Sequence, residues 1–150
     1  MENKKHYVRI CFEGEELYIE LDAQEYAIRQ LNIDEHSGKH LSCREDCLAE
    51  GVICETDIEG EFQYISRELF EEKWSLAMLP YQSAWIQTKK NYLIGSKVIG
   101  KSVCNYPQGT VICGRDFWAI HNGNQNIPID QNVRAKVAAY DEENMWLVLE

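Results

Sequence analysis

The stretch TVICGRDFWAI at residues 110–120 places two apolar runs on either side of the polar turn signal Gly114-Arg115-Asp116. Branched and aromatic side chains are typical of strands, so this stretch predicts a β-hairpin. The same pattern of short apolar runs and turns continues from Tyr92 to Glu150. Its runs cover 92–94 with 98–99, 110–112, 117–120, 133–140 and 145–149. Five short strands leave exposed edges unless their sheet closes, so we predict a small five-stranded β-barrel over residues 92–150.

The first part of the sequence predicts a smaller set of strands. Runs at 7–12 and 17–21, separated by the turn EGEE, have the composition of a hairpin. Residues 25–33 fit a strand with a bulge, although their spacing also suits a helical face. A further short strand is predicted at 39–43, after the turn signal at Gly38.

One helix is predicted over residues 67–78. Ser66 is a favourable N-cap, and Pro80 lacks the N–H group that a continuing helix needs. Glu71 and Lys73 lie off the apolar face, so we expect both to tolerate alanine. The apolar face, which we expect to be buried, consists of Phe70, Trp74, Ala77 and Met78.

These elements predict an α+β fold class with two domains. An acidic α+β domain at residues 1–79 is followed by a connector at 80–91 and by the barrel at 92–150. Charge supports the division, because residues 1–90 carry 19 acidic and 10 basic side chains, whereas residues 91–150 carry six and five. The acidic part should repel nucleic acid and anionic membranes, and it would suit a basic protein partner. The sequence does not indicate an oligomeric state.

The apolar runs are far shorter than a membrane span, and no basic-then-apolar export signal precedes Phe12. We therefore predict a cytoplasmic protein without membrane insertion. The six cysteines are then expected to be reduced thiols rather than a disulfide framework.

One cluster of side chains has the chemistry of a zinc site. His36, His40, Cys43 and Cys47 could supply two imidazoles and two thiolates to a tetrahedral ion. Their spacing differs from the paired Cys-x2-4-Cys knuckles of most structural sites, so a solvated loop with unrelated histidines and reduced thiols is the favoured explanation, and zinc is the alternative. Zinc at these four residues is the only cofactor that the sequence suggests.

The sequence contains none of the common motifs of hydrolases, P-loop proteins or dinucleotide-binding enzymes. His121 with Cys104 or Cys113 is the one base and nucleophile pairing within the barrel, and His121 leads directly into a turn. We therefore predict a protein that is not an enzyme and assign no catalytic residues. Nucleic-acid binding is disfavoured because the basic residues of the barrel barely balance its acids. Trp118, next to an inward-facing Phe117, is the best candidate for a surface contact with a protein.

The second half of the chain contains a set of short motifs: LIG (93–95), PQGTV (107–111), GRDFWA (114–119), IDQN (129–132), AKV (135–137) and LVLE (147–150). In these segments it resembles the soluble C-terminal domain of the NfeD family. The stretch from Gly95 to Gly109 is one residue longer than is usual in the family, and Asn132 replaces a glycine that we expect to be left-handed. The resemblance implies an OB-type barrel and a binding role.

The first half resembles a small bacterial domain family of unknown function in the segments IRQ (28–30) and ISRELFEEKW (65–74). Three hypotheses follow for the whole chain. The leading one is a non-catalytic protein-binding or regulatory module built on an NfeD-like barrel. The alternatives are an immunity-type protein that neutralises a basic toxin, and a zinc-binding protein that uses His36, His40, Cys43 and Cys47.

Overall fold

The structure, a computed structural model, describes residues 4–44, 48–49, 51–123 and 127–150. Its internal contacts divide the chain into two units, Met1–Leu79 and Pro80–Glu150. The first unit carries eight basic and 19 acidic side chains, and the second carries seven and six. The predicted α+β class is confirmed.

The first unit contains a five-stranded antiparallel sheet in the order β4-β3-β2-β1-β5. The predicted bulge lies at Ile28, because Glu20 pairs with Arg29 whereas Leu21 pairs with Ala27. Strand β5 has no counterpart among the predicted elements. The strands are β1 (His6–Phe12), β2 (Glu15–Leu21), β3 (Ala27–Asp34), β4 (Gly38–Leu41) and β5 (Glu61–Tyr64), and a short 3-10 helix covers Glu55–Asp57.

Two residues, Glu13 and Gly14, form the whole turn between β1 and β2. Both are left-handed, with φ angles of 48° and 79°. This is the conformation of the turns that match the twist of a tight hairpin. Gly14 fits it without cost, whereas Glu13 adopts it as a non-glycine residue.

Helix α1 (Arg67–Met78) follows its prediction closely. The Ser66 hydroxyl accepts a hydrogen bond from the backbone N–H of Leu69 at 3.1 Å, which satisfies one of the free donors of the first turn. The predicted face is buried, and the Phe70 ring packs 5.3 Å from the ring of Tyr7 on β1.

A buried ionic network joins α1 to the sheet. Tyr7, Glu20 and Arg29 lie directly opposite one another on three neighbouring strands. Arg29 donates to both oxygens of Glu20, at 2.7 and 3.1 Å, and it also donates to Glu71 on α1. The Tyr7 hydroxyl donates to Glu20 Oε2 at 2.9 Å. The side chains of Glu20 and Arg29 are each only 2% exposed, so water does not screen their attraction.

The pKa values of the network reflect this arrangement. Burial by itself would raise the pKa of Glu20, but the hydrogen bonds and charge of Arg29 outweigh it and hold that pKa below its usual range. Burial, together with the hydrogen bond to Glu20, raises the pKa of Tyr7 to about 12. The ion pair is therefore charged at neutral pH, and the Tyr7 hydroxyl keeps its proton.

Glu71 lies off the buried face of α1, as predicted, but it has a buried partner that the sequence does not indicate. Its carboxylate accepts hydrogen bonds from the buried guanidinium of Arg29 on β3. Lys73 is also partly buried, with its Nζ 5.8 Å from the ring centroid of Tyr18. Hydropathy places a charged residue off the apolar face, but it does not reveal a buried partner of opposite charge.

The predicted connector at 80–91 is largely helical. A 3-10 helix covers Leu79–Tyr81, and helix α2 follows at Gln82–Asn91. Pro80 has no N–H to continue α1, but a proline is tolerated just before a new helix. Trp85 of α2 is 4% exposed and belongs to the core of the barrel.

The second unit is a closed five-stranded barrel, as predicted, with the ring order β10-β8-β7-β6-β9. Strands β8 and β10 pair in parallel and the other pairs are antiparallel, so the chain follows a Greek-key path, as OB-type barrels do. The strands are β6 (Lys97–Tyr106), β7 (Gly109–Cys113), β8 (Trp118–His121), β9 (Asn132–Asp141) and β10 (Trp146–Leu149).

Two local predictions for the barrel are wrong. Residues 92–94 form no strand, and Leu93 and Ile94 are each 62% exposed. The left-handed residue before β9 is Asp130, with φ 66°, whereas Asn132 starts the strand. An aspartate tolerates the left-handed region much as an asparagine does, so the turn forms two residues earlier than expected.

Trp85 of helix α2 belongs to the buried core cluster of the barrel, whose other members lie on or next to strands. The indole N–H donates to Glu142 Oε1 at 2.9 Å, and the ring lies edge-on to Tyr140 at 5.9 Å. The other buried members of this core are Val98, Ile112, Phe117, Ala119, Val137, Leu147 and Leu149.

We expect Trp74→Ala to lower the free energy of unfolding by ~3–5 kcal/mol, because it removes a large buried ring and leaves a cavity. Glu71→Ala should cost about 1–3 kcal/mol, since it takes one carboxylate from a buried arginine. Exposed Glu72 on the same helix is the matched control, and Glu72→Ala should change stability by less than about 0.5 kcal/mol. Urea unfolding measures all three, and equal effects of the two glutamate substitutions would contradict the assigned role of Glu71.

We also expect a fragment of residues 80–150 to fold with a β-type circular dichroism spectrum, whereas a fragment of residues 92–150 should melt at a distinctly lower temperature. The shorter fragment loses Trp85, whose burial is worth ~3–5 kcal/mol, and a domain of this size has little stability to spare. Thermal unfolding of the two fragments is the measurement. Equal melting temperatures would show that α2 does not stabilise the barrel.

Candidate functional site

The two histidines of the predicted zinc site lie at and beside the turn between β3 and β4. His36 is 88% exposed, and its Nε2 is 3.2 Å from Glu35 Oε1. His40, on β4, has its Nε2 2.9 Å from the hydroxyl of Ser37. Each imidazole therefore already has a polar neighbour of its own within the turn.

The two cysteines of the predicted site have different surroundings. Cys43 is completely buried, with its Sγ 3.6 Å from the Met78 sulfur, and Cys47 lies outside the described residues. Within the described part of the chain, no group of three or more His, Cys, Asp or Glu side chains is arranged to hold a metal ion. Zinc binding at His36, His40, Cys43 and Cys47 stays a prediction.

Trp118, the predicted protein contact, lies at the start of β8 between the buried side chains of Phe117 and Ala119. It is half-buried, so strand alternation turns it more outward than its two neighbours. Its contact with a partner stays a prediction.

An open groove of about 670 Å³ lies along β6 and β9 of the barrel. Its charged and apolar side chains alternate with buried ones, as expected for the outer face of paired strands. We call this surface the basic groove. It is lined by Lys97, Val98, Ile99, Arg134, Ala135, Lys136 and Glu150.

Strand register brings the cations of the basic groove together. Lys97 lies directly opposite Lys136, and Ile99 lies directly opposite Arg134 one outward position further along. Ile99 is 51% exposed, so an apolar surface lies between the charges. Lys101 follows on the same face of β6 and pairs with Asp130 at 3.5 Å.

None of the three cations that line the groove has a carboxylate within 4 Å among the described residues. Glu150 lies beside Lys136, but the two are joined by backbone hydrogen bonds of 3.1 and 2.9 Å. Like charges directly opposite each other on antiparallel strands destabilise a sheet. The pair Lys97 and Lys136 therefore lowers the stability of the barrel, and an anion bound between them would relieve the repulsion.

The first unit has a groove of the opposite sign, which we call the acidic groove. It has a volume of about 600 Å³ and lies at the turn between β1 and β2, beside the start of β5. Glu16 accepts from the Tyr18 hydroxyl at 2.8 Å and pairs with Arg9 at 3.3 Å. The carboxylates that line the acidic groove belong to Glu13, Glu15, Glu16, Glu35 and Glu61.

No protein-family model matches this chain, and no curated protein matches it. The relation to the NfeD family therefore stays a prediction that rests on the sequence segments. The helices within the described residues are too short or too polar to cross a membrane.

The basic groove cannot be predicted from the amino-acid composition of the barrel. Five basic residues spread over residues 91–150 nearly balance six acids, which predicts a neutral surface. Only the pairing of β6 with β9 places Lys97, Arg134 and Lys136 on one face. Polar residues at alternate positions of both strands were the available signal, although it does not give the register.

We expect Lys97→Gln and Lys136→Gln each to stabilise the barrel by about 0.2–1 kcal/mol, because each removes a like-charge pair. The double variant should gain little more than either single one, since the repulsion can be removed only once. Urea unfolding of residues 80–150 at low salt measures the coupling. At ~1 M salt, where the screening length is ~3 Å, the gain should disappear. Strictly additive effects would show that the two lysines do not interact.

Proposed function

We propose that this chain is a non-catalytic protein-binding module, and that its barrel binds an acidic segment of a partner protein in the basic groove. The observation that carries the proposal is the set of three cations, Lys97, Arg134 and Lys136, around the exposed side chain of Ile99, none of them within 4 Å of a carboxylate of the described residues. A groove of this kind attracts carboxylates and also offers apolar contact, which together are the usual ingredients of a protein interface.

Binding of carboxylates would use the repulsion that the free barrel contains. A carboxylate between Lys97 and Lys136 replaces a like-charge contact by two favourable ones. Arg134 can bind a second carboxylate through two parallel hydrogen bonds, which adds a preferred direction. Successive outward positions on a strand are ~6.7 Å apart, so a segment with acidic residues at matching intervals fits the groove.

The lining favours a polypeptide over a nucleic acid. Proteins that bind single strands stack the bases on aromatic rings, whereas this groove is lined by aliphatic side chains and carries the carboxylate of Glu150 at one end. The net charge of −10 opposes any anionic partner, and most strongly one as highly charged as a nucleic acid. The binding role implied by the NfeD resemblance agrees with a protein partner.

The second candidate is an immunity-type protein that neutralises a basic toxin. The observation that favours it is the acidic groove, with its five glutamates, in a unit that carries 19 acidic side chains. Such a partner would bind the first unit and would be insensitive to substitutions in the basic groove.

We expect a fluorescein-labelled peptide of alternating glutamate and valine to bind the full chain, as measured by fluorescence anisotropy. The double variant Arg134→Ala/Lys136→Ala should weaken binding about 2- to 30-fold, because two exposed charge pairs are each worth about 0.2–1 kcal/mol. The matched control is Lys90→Ala/Arg115→Ala, which removes the same charge from exposed residues outside the groove.

Equal weakening in both double variants would show that only net charge matters, and would contradict the proposal. A single-stranded oligonucleotide serves as a second probe. If it bound more tightly than the peptide, and the groove variant lost that binding, the partner of the basic groove would be a nucleic acid and not an acidic protein segment. A basic toxin that binds the wild type and the groove variant equally well would favour the second candidate.

A further inference from the structure

Strand β5 forms an open edge of the sheet in the first unit. It pairs with β1 on one side only. The backbone N–H of Ile65 donates to the carbonyl of Tyr7 at 2.9 Å, so this pair is hydrogen-bonded. Because successive residues of a strand direct their backbone groups to opposite sides, Phe62 and Tyr64 direct theirs away from β1. No hydrogen bond from another described residue satisfies these outward N–H and C=O groups.

An aromatic surface accompanies this edge. The rings of Phe62 and Tyr64 lie edge-to-face at 5.3 Å, and the ring of His6 lies 6.3 Å from that of Tyr64. Tyr64 is 59% exposed. Phe62 and Tyr64 alternate with Gln63, so both rings stand on one face of the strand. A segment that pairs with β5 would lay its alternate side chains beside these rings.

Natural edge strands are commonly protected by short length, charged side chains, a proline, a bulge or a covering segment. Strand β5 contains neither lysine nor proline, and its register with β1 is regular over Glu61–Tyr64. Glu61 and Gln63 are both exposed on the other face. The strand is short, so backbone pairing alone would give modest affinity and the side chains of the added segment must contribute.

Charge determines which segment suits the edge. The first unit carries 19 acidic against eight basic side chains, and Glu61 joins the start of β5 to the acidic groove. A second copy of this unit would bring the same excess of negative charge and would be repelled. A lysine- or arginine-rich segment would be attracted to the same surface.

We propose that the edge of β5 binds an extended basic segment of a partner protein by strand addition. Hydrogen bonds to Phe62 and Tyr64 hold the added strand, the aromatic surface receives its alternate side chains, and the acidic groove receives basic side chains beyond its end. This proposal does not depend on the one for the basic groove, and an experiment can refute either proposal without refuting the other.

The test uses the full chain and a labelled octapeptide of alternating lysine and valine as the probe. Anisotropy should detect its binding, and a glutamate–valine peptide should compete only weakly for this site. N-methylation of alternate amides of the probe, in the set that faces β5, should weaken binding about tenfold, because it removes donors without changing charge. N-methylation of the other set is the matched control and should leave binding nearly unchanged.

Hydrogen exchange locates the bound probe on the protein. The amides of Phe62 and Tyr64 should exchange more slowly in its presence, whereas that of Gln63 should change little. The variant Phe62→Pro should weaken binding, since proline is tolerated at outward positions of an edge strand but has no donor. Gln63→Ala serves as its control.

Three results would overturn the inference. The first is failure of the lysine–valine probe to bind. The second is equal binding of both N-methylated probes, which would make the attraction purely electrostatic. The third is a dimer of the free chain that is disrupted by Phe62→Pro, which would assign the edge to a second copy. Loss of glutamate–valine binding through Arg134→Ala/Lys136→Ala bears only on the basic groove.

Discussion

The ion pair between Arg29 and Glu20 is the constraint on which the first unit depends. Both side chains are almost completely buried, and the guanidinium also stacks against Phe70 and Trp74, 4.9 and 5.2 Å from their ring centroids. A buried charge without its partner is strongly destabilising. A shift of β2 against β3 by one residue would separate these charges. Moving α1 would take Glu71, Phe70 and Trp74 away from the same buried guanidinium. The buried Arg29 therefore specifies both the strand register and the position of the helix.

The barrel depends on the closure of its sheet, whereas the first unit depends on a buried ion pair. Its ring of strands leaves no free edge, and its interior is filled by aliphatic and aromatic side chains together with Trp85 from α2. Closure also determines what lies outside. Pairing β6 with β9 places Lys97 opposite Lys136, so the same hydrogen bonds that complete the barrel create its repulsive surface. Natural sequences commonly give up stability at positions that bind ligands.

The two units differ in how they can bind partners. The barrel has no backbone groups at a free edge, so a partner must use side chains, and it offers cations around an aliphatic centre. The sheet of the first unit ends at β5, where no other described residue pairs with the outward backbone groups beside aromatic rings and acidic residues. The two proposals together assign an acidic segment to the barrel and a basic segment to this edge.

Local signals in the sequence predict the elements that depend on neighbouring residues. The Ser66 cap and the spacing of Phe70, Trp74 and Met78 predict α1 to the residue. The short apolar runs and turns from Tyr92 onward predict a closed barrel, because five short strands would otherwise leave exposed edges. The absence of a strand at 92–94 and the helix at 82–91 depend on packing against the barrel, as the buried Trp85 shows. The role of Glu71 and the grouping of Lys97, Arg134 and Lys136 were decided by tertiary structure alone. Charges separated by tens of residues meet only when strands pair or a helix docks, and composition and periodicity contain no measure of that distance.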